Sequence, residues 1–242
     1  MSADNPRATA GLLLAAAARG EAEAQTMLGQ ILLEGHGIAR DAKLAVTWFG
    51  IAARQGHAMA LNMLGRCLEH GWGCNADLSA ALGYYQRAAG LGLDWGMYNL
   101  ANLLATGRGI TQNHSAAFTL YQRAAQQGHA KSMNLLGRYL DEGVLTAPDR
   151  EAALTWFQRS AQAGDFRGQF SYALRLLELG KAEEARHWLQ QALAGGNLNF
   201  LRAARARVLA LPGFDALGFA YHQRAAELGD DDDRTALAAA MP

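Results

Sequence analysis

A glycine recurs every 36 residues through most of this chain, at positions 20, 56, 92, 128 and 164. The residues between successive glycines carry related side chains at the same offsets, so the repeat is not limited to the glycines. A repeat of this length predicts small supersecondary units that stack on their neighbours, because a single unit cannot bury its apolar face alone. Any fold assigned to this chain must therefore be built from copies of one short unit.

Each unit contains two helical stretches. The first begins just after the glycine, and the second begins near an Asp or Asn whose side chain can accept from free backbone N–H groups at a helix start. These residues are Asp41, Asp77, Asn113 and Asp149. In the second helix, a bulky pair such as Trp48-Phe49 precedes a small pair such as Ala52-Ala53 by four residues. This spacing puts the apolar positions on one face and predicts a helix that packs through it.

Glycine also recurs inside the first helix, at Gly29, Gly65 and Gly137. Because glycine within a helix costs about 1 kcal/mol relative to alanine, its return in one register predicts close approach of a neighbouring helix. The glycine that closes each unit fits the left-handed residue that ends a helix. Between the two helices, the Gly-x-Gly sequences at 35–37, 71–73 and 107–109 predict tight loops.

The chain is therefore expected to be all-α, with about six helix-turn-helix units starting near residues 21, 57, 93, 129, 165 and 197. Residues 1–20 would supply an N-terminal capping helix from about Arg7 to Arg19. The fifth unit is four residues shorter and should turn tightly at 179–181, and the sixth is degenerate, as the end of a repeat array requires. Residues 230–242 begin with four aspartates and form either an acidic tail or a short helix.

Composition and charge narrow the function classes. Lys and Arg total 22, as do Asp and Glu, so nucleic acid and anionic membrane surfaces are not expected partners. The apolar run at residues 11–18 is too short to span a bilayer, and its register matches the second helix of a unit. We therefore expect no membrane insertion and a cytoplasmic protein, with the periplasm as the alternative if the N-terminus is a cleaved signal.

The pattern resembles the Sel1-like repeat family, which is related to the tetratricopeptide repeats. In the second unit the resemblance is carried by Ala58, Ala60, Leu64-Gly65, Gly71, Gly73, Asp77, Ala81, Tyr84-Tyr85, Ala88-Ala89 and Gly92. It implies a right-handed α–α superhelix, or solenoid, that binds proteins or peptides and whose first helices line a concave surface. Some secreted relatives carry a cysteine pair in every repeat, and this chain lacks those cysteines.

No sequence motif of an enzyme is present: there is no Gly-x-Ser-x-Gly, HExxH or P-loop. No catalytic residue and no cofactor are therefore predicted. Cys67, His70 and Cys74 lie within eight residues and have the chemistry of soft metal ligands. However, Cys67 occupies an ordinary first-helix register and Cys74 replaces Ile38 and Ile110 of other units, so we interpret both as small apolar residues and predict no metal site.

Candidate binding residues are those that vary within the repeat on one face of the first helices. Amide and guanidinium groups there can hydrogen-bond a peptide backbone or a carboxylate, and Trp and Tyr are frequent binding anchors. The predicted partner-binding set on the concave face is Asn62, Arg66, Trp95, Tyr98, Asn99, Asn102, Lys131, Asn134, Arg138 and Phe170, with Met59 and Arg167 on the same face.

These observations predict a non-enzymatic adaptor or scaffold that binds a protein segment or peptide along a groove spanning the second to fourth repeats. The alternative is a cell-envelope module for a glycan or small ligand, in which Trp95 and Tyr98 would stack on sugar rings. The oligomeric state is left open by the sequence.

Overall fold

The computed structural model describes the backbone of residues 6–240 and the side chains from Ala10 onwards. Fourteen helices and no strands occur within this range. The helices are α1 (Pro6–Ala18), α2 (Ala22–Glu34), α3 (Ala42–Arg54), α4 (Ala58–His70), α5 (Leu78–Gly90), α6 (Asp94–Thr106), α7 (His114–Gln126), α8 (Ala130–Glu142), α9 (Arg150–Gln162), α10 (Phe166–Glu178), α11 (Ala182–Gly195), α12 (Leu198–Leu209), α13 (Asp215–Leu228) and α14 (Asp231–Ala240).

The chain divides after Gln127 into two compact units. The first unit holds α1 and three helix pairs, α2–α3, α4–α5 and α6–α7, and the second holds the pairs α8–α9, α10–α11 and α12–α13 followed by α14. Within each pair the two helices pack on each other. The predicted all-α class of helix-turn-helix repeats is therefore confirmed.

Helix boundaries follow the predicted capping residues. The side chains of Asp41, Asp77, Asn113 and Asp149 each accept a hydrogen bond of 2.9 Å from the backbone N–H three residues later. Each closing glycine of the 36-residue register has a positive φ, from 81° to 97°. Both sets of predictions are confirmed, because each residue supplies the group or the backbone conformation that a helix end requires.

The recurring glycines inside the first helices face an aromatic ring of the paired second helix. A Cβ added to Gly29 would lie 2.7 Å from the ring of Phe49, and one added to Gly137 would lie 2.7 Å from the ring of Phe157. Gly65 has the same relation to Tyr85, at 2.8 Å. The predicted close approach is confirmed. In each of these repeats a buried aromatic ring of the second helix fills the space that the glycine leaves on the first helix.

The four aspartates predicted as an acidic tail or a short helix lead into α14. Asp233 is 1 % exposed, and its two carboxylate oxygens lie 2.6 Å from Arg202 Nη2 and 2.7 Å from Arg205 Nη1 of α12. Asp230 also contacts Arg202, at 2.7 Å. One carboxylate therefore connects the start of α14 to two arginines of the preceding repeat.

This connection predicts an acid-sensitive C-terminus. Hydrogen bonds from Arg202 hold the pKa of Asp233 well below its usual range. Since the folded-state pKa is depressed, the stabilisation is complete above the unfolded value of about 3.9 and declines as the pH falls from there through the folded-state pKa. We expect amide hydrogen exchange in α14 to lose protection under these acidic conditions, and Asp233→Asn to lose it already at neutral pH. Asp232→Asn, at an exposed position, should leave α14 protected, and equal protection in both variants would contradict the assignment.

Candidate functional site

The predicted binding residues of the first unit lie on α4 and α6, and three of them are engaged with one another or with the core. Asn62 is 2 % exposed, and its Oδ1 accepts a 2.8 Å hydrogen bond from Asn99 Nδ2. Asn102 Oδ1 accepts from the hydroxyl of Tyr121, at 2.7 Å. Asn62 and Asn99 therefore join two first helices, and Asn102 joins a first helix to a second helix. Part of the hydrogen-bonding capacity of these amides is used inside the protein.

The other candidates of the first unit are partly exposed. The rings of Trp95 and Tyr98 pack edge to face, with centroids 6.0 Å apart. The guanidinium of Arg66 lies 5.0 Å from the centroid of the Trp72 ring, an attractive cation–π geometry. Arg66 and Trp72 also line a shallow pocket of about 220 Å³ with Arg40 and Met63.

Removing Asn99 should reveal the structural part of its role. In Asn99→Ala the buried Oδ1 of Asn62 loses its donor, and an unsatisfied buried polar group costs about 1–3 kcal/mol. We expect a loss of that size in the free energy of unfolding, measured by urea denaturation. Asn62→Leu combined with Asn99→Ala removes both partners and should recover most of the loss. Full stability of the single variant would rule out this pairing.

In the second unit the structure brings Asn134, Arg138 and Phe170 to one pocket, together with Arg167. The pocket has a volume of about 360 Å³ and lies among α8, α10 and α12. Its lining is completed by Ser171, Asn199, Phe200, Ala203, Ala204 and Arg207. Three arginines and no acidic residue line it, although the chain as a whole has no net charge.

Asn134 has an unusual position in this pocket. It is 4 % exposed, and its Oδ1 has no hydrogen-bond partner in the described part of the chain. A buried carbonyl oxygen without a donor is unfavourable. Asn134 therefore keeps an unused acceptor in a residue that lines the pocket.

The charged residues around the pocket are held by different contacts. Arg138 pairs with Glu142 across one helical turn, with both side chains about half exposed. The guanidinium of Arg167 lies 4.6 Å from the centroid of the Phe166 ring, and that of Arg207 lies 5.9 Å from the centroid of the Phe170 ring. Neither Arg167 nor Arg207 forms an ion pair within the described residues.

Asp165 caps the start of α10, where it accepts from the backbone N–H of Gly168 at 2.8 Å. Burial raises the pKa of this carboxyl group, although the Gly168 hydrogen bond and the charges of Arg167 and Lys131 act in the opposite direction. Lys131, the remaining predicted site residue, is thus electrostatically coupled to a structural carboxylate. It is not among the residues that line the pocket.

Sequence reasoning missed Ser171, Asn199, Phe200 and Arg207. The last three belong to the sixth repeat, which has lost the Leu-Gly pair by which the other first helices are aligned. The usable signal was at Ser171, because it occupies the register of Asn99 but carries a shorter side chain.

The two cysteines are free thiols, with Cys67 buried and Cys74 half-buried. Burial, assisted by neighbouring Cys74, raises the pKa of Cys67 to about 12, so its thiolate is scarce at neutral pH. Within the described residues, no group of three His, Cys, Asp or Glu side chains is arranged to hold a metal ion. No helix of this range has both the length and the apolar character of a membrane span.

A Sel1 repeat family model matches residues 22–57, 58–93, 96–129, 130–165, 169–197 and 215–230. A Sel1 repeat protein from Oxalobacter formigenes is 25 % identical, with a TM-score of 0.75 and coverage of 96 % of both chains. A protective antigen of uropathogenic Escherichia coli is 26 % identical, with a TM-score of 0.69. The match covers 97 % of this chain, which therefore spans only about half, 51 %, of the antigen.

An immunity protein from Pseudomonas aeruginosa shares the fold at 17 % identity, with a TM-score of 0.58 and coverage of 91 % of this chain and 80 % of the other. No curated protein matches the sequence. Sel1 repeat proteins are generally protein-interaction scaffolds and typically non-catalytic. Because its six matched segments cover well over half of the sequence, the chain belongs to the Sel1 repeat family.

Proposed function

We propose that this protein is a non-catalytic adaptor that binds a segment of a partner protein, and that the second unit contacts the segment through the pocket among α8, α10 and α12. The observation that carries the proposal is the buried, unpartnered Oδ1 of Asn134, a residue that lines a pocket together with three arginines. A peptide supplies the donor that this oxygen lacks, since every residue except proline has a backbone N–H.

Two further features favour a peptide over a catalytic substrate. The pocket residues come from three helices whose positions are fixed by repeat packing, so little conformational entropy is lost when a segment binds. The lining contains arginines, amides and phenyl rings but no nucleophile paired with a base. This is the composition of a recognition surface rather than of a reaction centre.

The proposal reduces the number of predicted residues that are expected to contact the partner. Asn62, Asn99 and Asn102 hydrogen-bond within the first unit, so they have less capacity for a partner than Asn134 and Arg138. Arg66, Trp95 and Tyr98 of the first unit stay as predicted contacts for a partner.

Selection from a random peptide library tests the proposal. The immobilised protein should enrich related peptides, and Arg138→Glu combined with Arg207→Glu should remove that enrichment by reversing charge at the pocket. Arg150→Glu combined with Arg123→Glu makes the same change of net charge at exposed second-helix positions and should retain it. Enrichment that is absent, or equal for the pocket variant, would refute the adaptor proposal for this surface.

A further inference from the structure

Helices α1 and α14 each correspond to one half of a repeat unit. The residues of α1 stand at the same distances before Gly20 as those of α3 before Gly56, so α1 corresponds to a second helix. Helix α14 follows Gly229 and packs on α13, as each first helix packs on the second helix before it. Its Leu237-Ala238 pair stands where four first helices carry Leu-Gly or Leu-Ala. Within the described residues, α1 has no first helix before it and α14 has no second helix after it.

On α14, the side that faces the preceding repeat is buried and the side that would face a second helix is exposed. Asp233, four residues after Gly229, is buried against α12. Ala238, nine residues after Gly229, is exposed, although Ala101 and Ala173 in the same register are completely buried. In α2, α4 and α8 this register holds the glycine that faces the ring of the second helix. The surface of α14 that a second helix would cover is therefore open.

The apolar side of α1 is open in the complementary way. Seven residues before the closing glycine, five second helices carry a side chain that is at most 2 % exposed, namely Phe49, Tyr85, Tyr121, Phe157 and Leu189. The equivalent residue of α1, Leu13, is only partly buried. Leu12 is 75 % exposed, whereas Trp48 in its register is half-buried. The side of α1 that would meet a first helix thus presents leucines to solvent.

The two open surfaces match each other in residue type. The fifth unit has Ala173 on α10 and Leu189 on α11 in these same two registers, and both side chains are completely buried in one core cluster. Ala238 of one copy and Leu13 of another would reproduce this combination. Contact between α14 and α1 would therefore continue a packing that the protein already uses between the two helices of a unit.

The charges at the helix ends are also complementary. Within a unit the end of the second helix lies beside the start of the first, because Gln55 Nε2 donates to Gln25 Oε1 at 2.8 Å. The same arrangement would bring the exposed Arg19, at the end of α1, to the acidic start of α14 at residues 230–233. Arg234, in the register of Gln25, already pairs with an aspartate of that start. Opposite charges at this distance attract each other.

We propose that copies of this chain associate head to tail, with α14 of one copy and α1 of the next packed together as the two helices of one repeat unit. Because the two surfaces differ, every added copy brings one of each, and association can continue beyond a dimer. This self-association goes beyond the proposed adaptor function and uses none of the residues that line the pocket among α8, α10 and α12.

Sedimentation velocity of the intact chain over a range of concentrations tests the inference. The average mass should rise with concentration in steps of one chain. Leu13→Arg and Ala238→Arg each place a charge in one of the two surfaces. Each should lower the association constant by about tenfold or more, the factor that corresponds to losing the burial of one leucine side chain. Thermal unfolding establishes that each variant is folded.

Mixing the two variants tests the head-to-tail arrangement directly. Leu13→Arg keeps an intact α14 surface and Ala238→Arg keeps an intact α1 surface, so the mixture should form a dimer of one copy each and nothing larger. The double variant should stay monomeric. The matched controls are Ala15→Arg and Ala239→Arg, which place arginine where other repeats already carry an exposed one, at Arg87 and Arg138 respectively. Both controls should associate like the unmodified protein.

Three results would overturn the inference. The first is a chain that stays monomeric at every concentration, and the second is equal weakening by the control variants. The third is a dimer that survives Ala238→Arg but not Leu13→Arg, because it would indicate contact between two α1 helices. None of these results bears on peptide selection by the pocket, so the two proposals fail separately.

Discussion

Phe157→Ala is expected to lower the free energy of unfolding of the second unit by about 3–5 kcal/mol, the usual range for a buried aromatic residue replaced by alanine. The ring is 2 % exposed and fills the slot opposite Gly137, where an added Cβ would lie 2.7 Å away. The glycine contributes no side chain to this slot, so removing the ring leaves a cavity there. Urea denaturation followed by tryptophan fluorescence and circular dichroism measures the loss.

A compensating variant tests the explanation for Phe157. Gly137→Val alone should destabilise by about 1–3 kcal/mol through overpacking, but in the Phe157→Ala background it should recover part of the loss by filling the vacated space. The matched control is Trp156→Ala on the same helix, which removes a half-buried ring and should cost less. Additive effects of Gly137→Val and Phe157→Ala would show that the two positions do not share a slot.

Gly73→Ala is expected to destabilise the first unit by about 2–5 kcal/mol. Gly73 has a φ of 72°, a conformation that costs a residue with a Cβ roughly 1–2 kcal/mol. A Cβ at this position would also lie 2.1 Å from the backbone oxygen of Ala42 in the preceding repeat. Backbone cannot move aside as a flexible side chain can, so overpacking adds about 1–3 kcal/mol.

Gly71→Ala is the control for Gly73→Ala, because it carries the cost of a positive φ without the clash of the added Cβ with neighbouring backbone. Gly71 has a similar φ of 70°, but its added Cβ would meet nothing closer than 3.6 Å. Only the conformational cost should appear, and the difference between the two variants in urea denaturation should measure the contact with Ala42. Equal losses would mean that this contact between repeats has no energetic weight.

The sequence predicted the fold closely because the signals that define it are local and repeated. Asp41 and its three equivalents cap a helix by a contact only three residues long, so their type and position suffice. The slot at Gly29 was detectable because its register returns in Gly65 and Gly137. The ring that fills each slot could not be identified from the glycine alone, since packing across two helices decides it.

The candidate site was less accessible to sequence analysis. Asn62 and Asn134 occupy the same register and appeared equivalent, but one accepts from Asn99 and the other has no donor. The difference lies in a residue of the next repeat, and side-chain length determines whether the hydrogen bond forms. Arg207 and Phe200 could not be assigned to the site from the sequence, because the sixth repeat lacks the Leu-Gly pair by which the first helices are aligned.

The spacing of these contacts has an evolutionary consequence. Gly29 and Phe49, like Gly137 and Phe157, lie twenty residues apart inside one repeat, so a duplicated gene segment of one period inherits a complete core contact. The Asn62–Asn99 contact spans 37 residues and joins two repeats, so duplication can separate such a pair from its match. Adding or removing a repeat would therefore preserve the core contact within each repeat but change which polar side chains meet between repeats, as they differ between Asn62–Asn99 and Asn134–Ser171.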